Sequence, residues 1–345
     1  MRHTITGAVA ALALAAGSLT PWAGASAETV SWNLSVWGPP RAYTKGVETL
    51  AEIVERDTDG KFTITIHYGE AISPARENLD SVSLGTAEAA TFCSSYHPGK
   101  NPALTGLDLP FLPVDDIDAL NEVHKAYYAH PVIQEEMDRW NAIAFMPTPL
   151  PLYEFMGRGN PPRSLEDWDG MRVRALGGMG DAMRQLGAVP TTVPAPEIYT
   201  SLERRMINAA AVAYTYMHVS YRLHEISTWY TTNLAPGTAG CGVVVNKAAY
   251  EALPEEYRRI LDDARQPAYE AMRDAYAEAD EKNLPLFEEQ NLEAITYSAE
   301  ERAEFEERAA RPVWDDWAEE MTGRGLPGEE LLEFILETAR ETQGS

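Results

Sequence analysis

The stretch VSWNLSVWGPPRAYTKGVETLAEIVERDTDGKFTITIHYG, Val30 to Gly69, carries two hydrophobic periods in turn. Residues 30–36 read as a short strand. Residues 43–56 read as an amphipathic helix with apolar positions at Val47, Leu50, Ile53 and Val54. A glycine turn at Gly60 and an alternating run over 62–68 give a second strand. Strand, helix, strand is a βαβ opening, and it predicts an α/β protein with a parallel sheet.

The unit recurs. ARENLDSVSLGTAEAATFCSS, starting at Ala75, reads as a helix stopping at Gly85 and a strand over 88–92. Polar Ser94, Ser95 and Tyr96 follow its carboxyl end, where open α/β sheets bind ligands. One helix is expected over 117–140, and then a segment with five prolines between Pro147 and Pro162. Extended proline-rich backbone joins domains without entering either core, so the chain is expected to cross between two domains here. A strand MRVRA (171–175) and further helix and strand alternation follow. AGCGVVVN (239–246) reads as an apolar strand returning to the first domain, and 254–289 as one long charged helix. The remainder reads as charged helix.

At the amino end, Arg2 and His3 precede an apolar run over 8–16, and Ala25-Ser26-Ala27 closes the segment. This is the pattern of a secretory signal over 1–27, and it predicts a mature chain beginning at Glu28 in the periplasm. The run is shorter than the about 20 apolar residues of a membrane span. The net charge of −25, from 53 acidic and 28 basic side chains, argues against nucleic acid or an anionic membrane as partner. The two cysteines, Cys93 and Cys241, sit in apolar strand-like runs, where buried thiols are the expected state, although export makes a bridge chemically possible.

Chemistry is absent from the pattern. There is no G-x-S-x-G, no H-E-x-x-H, no Cys/His pairing, no G-x-G-x-x-G and no P-loop. The seven histidines lack metal-ligand spacing, and His218 and His224 are expected on different faces of a helix. No cofactor, no metal and no catalytic group are expected, so the chain reads as a binding module.

At GMRVRALGGMGDAMRQLGAVPTTVPAPEIYTSLERRMINAA, from Gly170, the sequence resembles the solute-binding subunits of tripartite ATP-independent periplasmic (TRAP) transporters, the DctP family. The matching positions are Gly170-Met171-Arg172-Val173-Arg174, Gly187-Ala188-Val189-Pro190, Pro194, Glu197, Tyr199 and Leu202. ENLDSVSLGTAEAA, GLDLPFLPVDD and NKAAYEALPEEYRRIL resemble further family stretches in the same order. The resemblance implies a two-lobed, clam-shell periplasmic binding protein with a hinge and a long helix spanning both lobes. Lobe I would comprise 28–151 plus 241–280, and lobe II 152–240 plus 281–345. It also implies a monomer that captures a small organic solute in the interlobe cleft and delivers it to membrane permease subunits.

Arg174 matches the family's arginine that pairs with a ligand carboxylate, a role suited to a planar donor fork in a shielded cleft. Arg172 is expected at the surface. Where many members carry a second arginine this chain has Glu154, and the family's D-G-Q-E-N-P motif is replaced by Asn208 and five residues ending at Ala213. With Ser94, Trp37, Tyr96, Tyr153, Tyr214 and Tyr216 as further lining residues, an acidic side chain among aromatic rings predicts a small amine or zwitterion, such as an ethanolamine-, betaine- or ectoine-like solute. The alternative is an organic monocarboxylate (a keto, hydroxy or sugar acid) held by Arg174, with Glu154 uninvolved. A sensor-associated binding protein is a more remote alternative.

Overall fold

The structure is a computed structural model that describes residues 29–114 and 116–342. The expected signal segment, 1–27, lies outside the described residues. Eleven strands form two sheets among these residues. The first contains β1 (Val30–Ser35), β2 (Phe62–His67), β3 (Ala89–Cys93) and β4 (Ala142–Pro147). The second contains β5 (Tyr153–Gly157), β6 (Arg172–Arg174), β7 (Val189–Thr191), β8 (Ala209–Ala213) and β9 (Trp229–Thr231). β10 (Cys241–Asn246) returns to the first sheet, and β11 (Glu293–Ile295) joins the second.

The first sheet runs β2-β1-β3-β10-β4, with β1 parallel to β2 and β3 and with β10 antiparallel to β3 and β4. The second runs β11-β9-β5-β8-β6-β7, with β6 parallel to β7 and β8. The central strands β3, β8 and β10 are buried along their whole length. Their continuous apolar sequences, AATFC, AAAVA and CGVVVN, suit strands covered on both faces. Val47, Leu50 and Val54 of the helix Lys45–Asp57 pack on Trp32, Leu34 and Phe62 of the first sheet. That is the opening βαβ unit.

Two expected helices are broken by prolines. The expected helix over 117–140 is two, Ile117–Tyr128 and Pro131–Asp138, because Pro131 starts a new helix after an extended His130. The expected helix over 254–289 is also two, Glu255–Asp263 and Arg265–Glu289, and Pro267, which lacks an N–H donor, sits in the first turn of the second. Ala268 of that second helix packs with the first sheet's core, whereas Phe287 packs at a tilt against Tyr230 of β9, with ring centroids 5.0 Å apart. This helix therefore crosses from one sheet to the other.

The carboxyl-terminal segment corrects the expected division. Residues 281–345 are expected in the second lobe, and β11 is indeed in the second sheet. Phe305 and Ala309 of the helix Ala299–Gly323 share the second sheet's core as expected, but Val313, Trp317 and Met321 of the same helix, and Leu331, Ile335 and Ala339 of the helix Gly328–Thr342, share a core with Leu79, Phe92 and Val123 on the first sheet. Their apolar stripes join that core.

Candidate ligand-binding site

The ends of several strands converge on one small cavity between the two sheets. β1 leads into Trp37 and then Arg41 and Tyr43, β3 ends at Cys93, β5 begins at Tyr153, and β6 ends at Arg174. All of these line the cavity, with Tyr96, Tyr216 and Tyr221. It encloses about 20 Å³, room for little more than a water molecule. A larger groove of about 640 Å³ runs along the outer edge of β4, remote from these strand ends. The small cavity is the better site on topology and chemistry, since the larger one lies along a sheet edge.

Arg174 is 1% exposed. Its Nε donates to the Val193 carbonyl at 3.0 Å and its Nη1 to the Ala211 carbonyl at 2.6 Å, and its Cζ lies 5.9 Å from the centre of the Tyr153 ring. Both polar partners are neutral. Among the described residues no carboxylate lies within ion-pair distance of Arg174. A buried charge without a counter-ion costs several kcal/mol, and an anion placed beside this guanidinium would offset that cost. β8, the alanine strand that stands where the family motif is missing, contributes the backbone carbonyl that aims the guanidinium.

The walls are aromatic. Trp37 stacks on Tyr43 with centroids 6.0 Å apart and meets Tyr96 edge-on at 5.7 Å. The Tyr96 hydroxyl accepts from the Ala195 backbone N–H at 3.0 Å, which ties the first sheet's side of the cleft to the second's. Tyr216 packs on Tyr276 of the crossing helix at 4.9 Å. Burial pushes the Tyr43 hydroxyl up to about 12, and those of Tyr153 and Tyr216 higher still, so these rings stay neutral.

Glu154 departs from expectation. Successive strand residues face opposite ways, and Tyr153 takes the cleft face of β5, so Glu154 takes the other. There its carboxylate accepts from Thr231 Oγ1 at 2.5 Å and from the backbone N–H groups of Leu234 at 3.2 Å and Ala235 at 3.0 Å. Burial raises it to about 7 against the pull of those three donors. It is a structural acid, and it does not face the cavity. Tyr214 lies beside Glu154 on an outer groove, edge-on to His218 at 5.8 Å. Ser94 is also withdrawn from the cavity, because its hydroxyl donates to the buried Asp108 carboxylate at 2.8 Å. Arg174, Trp37, Tyr96, Tyr153 and Tyr216 are brought together; Glu154, Tyr214 and Ser94 are not.

A profile of the DctP family, bacterial extracellular solute-binding protein family 7, matches residues 35–320. The chain belongs to this family. It is 28% identical over 279 residues to a monocarboxylate 2-oxoacid-binding periplasmic protein of Nostoc sp., covering 79% of this chain and 75% of that protein. It is 24% identical over 291 residues to the C4-dicarboxylate-binding periplasmic protein DctP of Rhodobacter capsulatus, covering 83% and 85%. A TRAP solute-binding protein from Rhodoferax ferrireducens, solved with copurified benzoate, superposes with a TM-score of 0.81 at 19% identity, covering 92% of this chain and 99% of that one. The two sheets are thus the two lobes of the periplasmic binding fold. The DctP-family protein is a TRAP-type solute-binding protein.

Two features of the DctP-family cleft escaped the sequence. Cys93 and Cys241 form a disulfide, with Cα atoms 4.0 Å apart, where buried thiols were expected. β10 runs antiparallel to β3 in a register that sets Cys241 opposite Cys93, and the bridge lines the cavity. Arg41, Tyr43 and Tyr221 were also missed. The available signal for Arg41 was its position in WGPPR, just past the carboxyl end of a parallel strand.

Proposed function

We propose that the protein captures a small organic monocarboxylate in the interlobe cleft, with Arg174 holding the carboxylate. The carrying observation is the guanidinium itself: 1% exposed, fixed by two carbonyls, and without an acidic partner among the described residues. A carboxylate supplies both the missing charge and the acceptors that a planar donor fork suits. The ligands of the relatives above, a 2-oxoacid, a C4-dicarboxylate and benzoate, support an acid. The amine expectation loses its main support, because Glu154 does not face the cavity. Because the cavity as it stands admits little more than a water molecule, capture requires the lobes to part, and the aromatic walls then serve as an apolar sleeve for the body of the acid.

In this reading the mature protein works in the periplasm and passes its solute to the membrane permease subunits of a TRAP transporter. Thermal-shift screening of the mature protein against monocarboxylates, amines and zwitterions tests the ligand class. A bound acid at about 100 times its dissociation constant adds about 2.7 kcal/mol to folded-state stability. Stabilisation by amines with none by acids would overturn the reading.

A further inference from the structure

The cleft holds a second cation that carboxylate capture by Arg174 leaves without a task. Arg41 reaches the cavity from the first lobe. Its Nη1 donates to the Trp37 carbonyl at 2.8 Å and to the Pro39 carbonyl at 2.9 Å, which pins the side chain by one nitrogen. The guanidinium lies 4.9 Å from the centre of the Tyr43 ring and 5.7 Å from that of Tyr221. Its Nε is shielded from solvent and has no hydrogen-bond partner, and the same holds for the Tyr221 hydroxyl. No carboxylate among the described residues forms an ion pair with Arg41.

Gly38 shows how closely this corner is built. Its φ of +70° is a backbone state that side chains disfavour, and a Cβ placed there would lie 2.7 Å from the Tyr221 hydroxyl oxygen and 3.1 Å from Arg41 Nη1. Two solvent-shielded polar atoms from opposite lobes, Nε of the partly buried Arg41 on the first and the Tyr221 hydroxyl on the second, thus adjoin the cavity with hydrogen-bonding capacity unused. Buried donors are seldom left unpaired, because each lost bond forfeits the solvation it had in water.

Resting on the carboxylate reading above, we propose that Arg41 and Tyr221 form a second anchor that reads an additional oxygen on the acid. The preferred solutes are small monocarboxylates bearing an oxo or hydroxyl oxygen beside the carboxylate, rather than their unsubstituted parents. Such a ligand bridges the lobes, its carboxylate on Arg174 and its second oxygen on Arg41 and Tyr221. A site built to bond that oxygen rejects the analogue lacking it, because its own buried groups are then left unpaired.

Calorimetry on matched pairs tests this: pyruvate against propionate, 2-oxoisocaproate against 4-methylpentanoate, and phenylpyruvate against 3-phenylpropionate. The unchanged protein is expected to bind the 2-oxo member of at least one pair about tenfold or more tightly than its parent. Arg41→Gln and the nearly isosteric Tyr221→Phe should each shrink that preference to within about threefold while leaving the parent acid's affinity largely intact. Equal affinity for both members in the unchanged protein overturns the proposal. So does a variant that weakens both members alike, since Arg41 and Tyr221 would then only shape the wall. If no acid of any pair binds, the carboxylate reading itself fails, a different outcome from binding without preference. Tyr221→Phe keeps the ring, so it supplies the result if Arg41→Gln misfolds.

Discussion

Replacing Arg174 with methionine separates a binding role from a structural one, because the two predict opposite changes in stability. Methionine preserves most of the side-chain volume and removes the charge. It orphans the carbonyls of Val193 and Ala211, at about 1 kcal/mol each. Against that stands relief of a buried cation with no acidic partner among the described residues, worth several kcal/mol. The ligand-free variant should therefore unfold at the same urea concentration as the parent or a higher one. Binding should move the other way. Losing one partner of a buried, hydrogen-bonded charge pair weakens a complex by about 2–5 kcal/mol, a factor of about 30 to 5,000. The assay pairs calorimetry, using the monocarboxylate that stabilises the unchanged protein most, with urea unfolding of both proteins without ligand. Affinity retained within about threefold would refute the reasoning. So would a loss of affinity accompanied by several kcal/mol of lost stability, which would make Arg174 a strut of the second lobe.

Glu154→Gln should leave acid affinity within about twofold, because Glu154 faces away from the cavity; a tenfold change in calorimetry would contradict that. The same variant bears on pH. The buried carboxyls of Asp108, Glu136 and Glu154 are each raised to about 7 in the folded protein, mainly by burial, so between about pH 4.5 and 7 the folded chain binds more protons than the unfolded one. Their contribution to stability is full at the acid end of that window and lost as pH rises through 7, by about 3 kcal/mol for Glu154. Urea unfolding across this range should show a shallower decline for Glu154→Gln; an unchanged slope would remove Glu154 from the account. Replacing both Cys93 and Cys241 with alanine opens a loop spanning 148 residues, and chain entropy then predicts about 5 kcal/mol of lost stability under non-reducing conditions. A loss below about 1 kcal/mol in urea unfolding would show that the bridge constrains little.

Local periodicity carried the elements that depend on near neighbours. The helix over 43–56 was legible because Val47, Leu50 and Val54 repeat at helical spacing. The carboxyl-end rule and the family resemblance led to Trp37, Tyr96 and Arg174, which do line one cavity. The helix breaks at Pro131 and Pro267 were also readable, since proline lacks the donor a helix interior needs, but the amphipathic pattern ran through both and masked them. Glu154 and Ser94 failed differently. Each lies next to a lining residue in sequence, and only the strand face or the buried partner Asp108 turns it away.

The sequence by itself determined where most strands and helices lie, that they alternate as α/β units, and, through motif order, the family to which the chain belongs. Those follow from spacing within a few residues and from motif order. Tertiary structure alone decided the cysteine bridge, the lobe that receives the last helix, the inward turn of Glu154 onto Thr231, and the meeting of Arg41 with Tyr221. The physical reason is common to all four. Strand register and lobe closure join residues that can lie more than a hundred positions apart, and no local pattern in the chain encodes which of them will face each other.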